Sequence, residues 1–121
     1  MGLEASIHSL YGESGGELDY LACLTLNPND LYLLTSQIDL RLLKKRNQDF
    51  NPITVIRPSI VVTGIGVDGI RHYKSAVIER KEVVILDIKD SRTYLFSDQY
   101  GLYLKPKEEF QVCMGDRFEL S

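Results

Sequence analysis

Short apolar runs broken by turn residues dominate this chain, and only one stretch keeps a helical period. Tyr20 to Leu26 is a compact apolar run closed by Asn27-Pro28-Asn29, which predicts a buried strand. Before it, Gly12-Glu13-Ser14-Gly15-Gly16-Glu17 reads as a mobile loop. Leu31, Leu34, Ile38 and Leu42 then recur at spacings of three and four and predict one helix over about 31–46. Asp30 stands where it can cap the free amides of a first turn, and Lys44-Lys45-Arg46 closes the segment where a helix favours positive charge. Ile38, Leu40 and Leu42 also alternate, so a strand from Ile38 is the competing description.

Asn51-Pro52 and Arg57-Pro58 bracket Ile53-Thr54-Val55-Ile56, which predicts a short edge strand because proline cannot donate to a sheet ladder. From Ser59 onward the residues turn β-branched and aromatic. Asp68-Gly69 between β-type flanks is a strong hairpin signal, since both residues tolerate the positive φ of a tight turn. That hairpin sets Val67 opposite Ile70 and Ile65 opposite His72, with a second reversal at Arg80-Lys81. Further strands are predicted at 93–96, 102–105, 110–114 and 117–120. Turn signals every 8–12 residues are the mark of a meandering antiparallel sheet. The expected fold is α+β and mostly β: an antiparallel sandwich or small barrel with one helix, in a single domain over residues 1–121.

Composition changes this picture little. With 44% hydrophobic and 26% charged residues, the 121-residue chain can bury a core without metal or disulfide staples. A net charge of −3 gives no electrostatic reason to expect nucleic acid or an anionic membrane as partner. Cys23 and Cys113 each lie in an apolar run and are expected as buried free thiols. No basic segment followed by a long apolar stretch opens the chain, and no apolar run approaches the roughly 20 residues of a membrane span, so a cytoplasmic location is expected. His8 and His72 have no cysteine or second histidine at ligand spacing, so neither a metal nor another cofactor is expected.

Two motifs carry chemistry. Gly64, Gly66 and Gly69 have the G-x-G-x-x-G spacing with which a backbone approaches a pyrophosphate, and Asp87 ends an apolar strand where a ribose-binding carboxylate would stand. Such a nucleotide-binding domain requires a helix over 70–81 and parallel flanking strands. Asp68, Asp87 and Lys89 follow the D…D-x-K order of metal-dependent nucleases, where two carboxylates hold a divalent ion beside a lysine. That reading requires the two carboxylates to converge. The hairpin reading accounts for the whole C-terminal half, which neither motif does.

The leading functional expectation is therefore a non-catalytic binding or assembly module working through protein–protein contacts, self-association included. Tyr94, Phe96, Tyr100 and Tyr103 are the candidate binding residues, because tyrosine offers a large contact area with a polar tip at low rotamer cost.

Overall fold

The computed structural model describes residues 5–49, 51–87 and 101–121. Its first element, β1 (Ala5–Ser14), is the longest strand and makes the most strand pairings. One edge pairs with β5 (Ile60–Thr63) over Ser6 to Leu10. The other edge pairs first with β10 (Arg117–Leu120) and then, from Leu10 to Ser14, with β2 (Glu17–Leu21). The β1–β10 pairing closes a seven-stranded barrel, continued through β6 (Ser75–Ile78), β7 (Lys81–Leu86), β8 (Leu102–Pro106), β4 (Tyr32–Ser36) and β5. β3 (Cys23–Leu26) and β9 (Phe110–Cys113) form a separate two-stranded ribbon. Leu26 and Val112 of that ribbon join the barrel core with Leu34, Ile60, Leu104 and Phe118.

The chain is thus mostly β, with a closed barrel instead of a sandwich. Neighbouring strands are antiparallel except β4 and β5, which run parallel. A parallel pair needs a crossover, and this one contains α1 (Gln37–Arg46) and α2 (Pro52–Ile56). Leu43 and Ile56 pack with Leu33 and Leu40 in a second, smaller apolar cluster formed by β4 and these two helices.

Several local expectations are corrected. The helix expected over 31–46 begins only at Gln37; residues 32–36 are strand β4, and Ser36, not Asp30, is the cap. Leu34 lies in the core while Leu31, Ile38 and Leu42 stay exposed, so the apparent stripe joined two elements with different inward faces. The edge strand expected at 53–56 is α2. Asn51 caps it by accepting from the Ile53 amide at 3.0 Å, and Pro52 occupies the first turn, where its missing N–H costs nothing.

The loop expected at Gly12–Glu17 is a hairpin. Gly15 and Gly16 take φ of 61° and 84° at its turn, so β1 and β2 run on to either side. β6 and β7 do form a hairpin, but its tip is Glu79-Arg80, one residue earlier than expected, with Ile78 opposite Lys81. The strands expected near 102–105, 110–114 and 117–120 are β8, β9 and β10; the one at 93–96 lies outside the described residues.

The largest correction is at Asp68-Gly69, which reverse nothing. They form the middle of a single helical turn, α3 (Val67–Ile70), with Gly69 and Ile70 amides donating to the Gly66 carbonyl at 3.1 and 3.2 Å. Val67 and Ile70 are fully buried in the barrel core, so apolar burial fixes this turn. A buried carboxylate also holds it. Asp39, on the first turn of α1, accepts from the Val67 amide at 2.8 Å and from the Ser36 hydroxyl, while its own amide donates to Ser36 Oγ at 3.0 Å.

Cys23 and Cys113 are disulfide-bonded across β3 and β9, not free. Register explains this: they are direct partners, an arrangement that neither apolar run reveals alone. Disulfides persist where thiols are not kept reduced, so the bridge withdraws one support for a cytoplasmic location. No helix among the described residues is long and apolar enough to cross a membrane.

Replacing Asp39 by alanine strands the Val67 amide and the Ser36 hydroxyl in a dry site. We expect Asp39→Ala to lose about 2–3 kcal/mol in urea denaturation, and Asp39→Asn, which keeps one acceptor, to lose less. Equal small losses in both variants would show that the carboxylate does not hold α3.

Candidate functional site

Beyond Leu10, β1 leaves the barrel and carries β2 with it as a protruding hairpin. Its register sets Tyr11 opposite Tyr20, and the two rings meet at 4.9 Å with a tilt of 41°. Tyr11 is buried, whereas Tyr20 is 76% exposed although it is a large aromatic. Across from them stands α2, and between hairpin and helix lies a cleft of about 510 Å³ lined by Tyr11, Glu17, Tyr20, Asn51, Thr54 and Arg57 among others.

Arg57 fastens the two walls. It ends α2 in the left-handed region, φ 55° and ψ 58°, with its amide donating to the Ile53 carbonyl at 2.8 Å. A non-glycine residue is uncommon there, and tertiary contacts hold it. Its guanidinium donates to Glu13 Oε1 at 2.8 and 3.1 Å and to the Gly16 carbonyl at 3.1 Å. An exposed ion pair of this kind contributes little net stability, but three directed bonds fix the hairpin tip relative to α2.

A hydrogen-bonded chain reaches this cleft from the far side of β1. His8 is the extra residue of a bulge between Ile7 and Ser9, which turns its ring toward α1. Thr63 Oγ1 donates to Gln37 Oε1 at 3.1 Å, so the Gln37 amide donates to His8 Nε2 at 3.0 Å. The His8 proton then sits on Nδ1, toward Ser9 Oγ at 3.2 Å. Buried Ser9 in turn acts on the Tyr11 hydroxyl, favouring its charged form. Burial, and then the hydrogen bond to Tyr20, raise the Tyr11 pKa above its ordinary 10.0, while the bond from Ser9 opposes this. Tyr11 is therefore a neutral phenol that can both donate and accept.

The residues singled out by motif fall elsewhere. Asp68 and Asp87 do converge, but on a protein cation: Arg71 lies 4.0 Å from the first and 2.5 Å from the second. Lys89 lies outside the described residues, among which no group of three acidic, histidine or cysteine side chains gathers as a metal set would. Gly64 and Gly66 lead into a helical turn, as a phosphate loop does. The Val67 amide at its start is taken by the chain's own Asp39, whose carboxylate stands against Gly66 where an anion's oxygen would be received. No helix spans 70–81; those residues lead into β6 and β7, which run antiparallel.

Of the aromatic candidates, Tyr103 lies half-buried on β8 opposite Leu33 and Leu86. Tyr94, Phe96 and Tyr100 lie outside the described residues. Sequence reasoning passed over Tyr11, Tyr20 and Arg57. Gly15-Gly16 between two β-type runs was the available signal, because such a pair supplies the two positive φ values of a hairpin turn.

No family model and no curated protein matches this chain. Its fold is similar to the crystal structure of YiiM from Geobacillus stearothermophilus, with a TM-score of 0.57 and 8% sequence identity over 98% of this chain and 74% of that one. At that identity the likeness concerns the fold alone.

The raised Tyr11 pKa has a definite sign in stability. Above pH 10.0 the unfolded chain sheds a phenolic proton that the fold retains, so this group's contribution is present below that pH and is lost as pH rises through the folded value. Tyr11→Phe should flatten the alkaline fall in melting temperature between about pH 9 and 11 while costing about 1 kcal/mol at neutral pH. Parallel pH profiles for the two proteins would show that Tyr11 does not titrate differently on folding.

Proposed function

We propose that this barrel is a binding module that takes an extended, basic segment of a partner protein along the free edge of β2. One observation carries the reading: among the described residues β2 is an outer strand with β1 as its strand partner, and it fronts a preformed cleft with Tyr20 exposed. A free strand edge offers main-chain donors and acceptors to an added strand, and an adjoining cleft receives alternate side chains.

Charge favours a basic partner. Glu13 is paired with Arg57, but Glu17 and Asp19 are exposed and make no ion pair among the described residues. The same charges weigh against edge-to-edge pairing with a second copy. Antiparallel self-pairing centred on the strand sets Asp19 against Asp19, and like charges directly opposite are destabilising. This mode of binding uses the hairpin, whereas the surface around residues 94–103 was the earlier expectation.

A fluorescent peptide of alternating lysine and valine tests the reading. It should bind the wild-type protein, and the double variant Glu17→Lys, Asp19→Lys should weaken that binding about tenfold through two lost charge contacts. N-methylation of the peptide amides that face β2 should abolish binding. Equal binding of a glutamate–valine peptide, or indifference to N-methylation, would sink the proposal.

A further inference from the structure

We infer that the Cys23–Cys113 disulfide is a redox control on the β2 edge, an inference that rests on the binding role just proposed for that edge. β3 begins at Cys23, separated from the last residue of β2 only by Ala22. The disulfide therefore fastens the end of β2 across to β9.

What lies beyond Cys113 is firmly held. The Cys113 amide donates to Asp116 Oδ2 at 2.7 Å, Gly115 donates to the Ile7 carbonyl at 2.8 Å, and Ile7 donates to the Asp116 carbonyl at 2.8 Å. The turn after β9 is thus bonded to β1 within the barrel wall, and through the disulfide it anchors the exit of β2. The entrance of β2 is the Gly15-Gly16 turn, whose Gly16 carbonyl Arg57 holds. With both ends fixed, a five-residue strand that has one strand neighbour among the described residues stays ordered.

The bridge is placed to be reached. Met114 donates to the Ala22 carbonyl at 3.0 Å, so Ala22 and Met114 form a hydrogen-bonded pair. Cys23 and Cys113 then occupy the adjacent non-hydrogen-bonded pair, where side chains stand closest. Both are partly exposed. A small dithiol attacks one sulfur as a thiolate, breaking the S–S bond and forming a mixed disulfide; its second thiolate displaces the protein sulfur. Two electrons and two protons pass to Cys23 and Cys113 as thiols, and the reductant leaves as a cyclic disulfide. The exit of β2 then loses its covalent tie and keeps the Met114–Ala22 hydrogen bond and the β3–β9 ladder alone. Fraying lowers the fraction of molecules with an ordered edge, and apparent affinity falls in proportion.

The test compares the oxidised protein, the protein reduced by dithiothreitol, and the Cys23→Ser, Cys113→Ser double variant, at a temperature where circular dichroism shows all three folded. Amide hydrogen exchange is read across β2, β6 and β7, and anisotropy follows the lysine–valine peptide. In both states that lack the bridge, exchange of the β2 amides bonded to β1 should rise about tenfold, with β6 and β7 unchanged and peptide affinity about tenfold lower. Unaltered exchange in β2, or an equal rise in β6 and β7, overturns the inference. Failure of the oxidised protein to bind the peptide removes the binding role instead, and exchange alone then decides whether the bridge orders the edge.

Discussion

The change of partner along one edge of β1 is the constraint from which the rest of this structure follows. A strand has two edges, and β1 gives one to β5 and divides the other between β10 and β2. The first division closes the barrel, removing an edge that would otherwise stay open to other chains. The second extends past the rim. The bulge at His8 lies next to the handover, where an extra residue bends the strand and strengthens its twist. Closure and protrusion are therefore two consequences of one strand being longer than the barrel needs.

A second dependence runs through Asp39. Buried carboxylates are costly unless their oxygens find donors, and this one finds a hydroxyl and a backbone amide from different parts of the chain. It couples the start of the crossover to the turn that follows β5. The glycine spacing at 64–69 resembles an anion loop because both need a backbone amide presented to a negative group. Here the negative group is supplied from within, and the outcome is a folding contact. Asp68 and Asp87 follow the same pattern, since Arg71 meets the two carboxylates that the D…D-x-K order would offer to a metal ion.

Among the described residues, the hairpin of β1 and β2 is a place where polar and aromatic groups face outward together. Its two tyrosines differ sharply in exposure although they touch. The buried one lies near the end of a chain of hydrogen bonds that runs from Thr63 to Ser9, and the exposed one is left to meet solvent. For the proposed binding role rigid walls matter, because a partner strand bound to a fixed edge would not have to order that edge as well.

Much of the β-rich character was legible in residue order alone. Alternating apolar residues and regularly spaced turns mark β8, β9 and β10, and the basic cluster at 44–46 marks the end of α1, because strand pleat and helix dipole act over a few residues. What tertiary structure decided was every choice between two locally acceptable states. Leu31 to Ser36 has a period that suits helix or strand, and it became strand because β5 and β8 offered it ladders on both sides. Asp68-Gly69 suits a hairpin or a helical turn, and burial of Val67 and Ile70 with Asp39 at the amide chose the turn. Cys23 and Cys113, 90 residues apart, met only through strand register. Local propensities differ by about 1 kcal/mol or less, whereas burying one large apolar side chain is worth about 1.5–3 kcal/mol, so distant contacts settle what the neighbourhood leaves balanced.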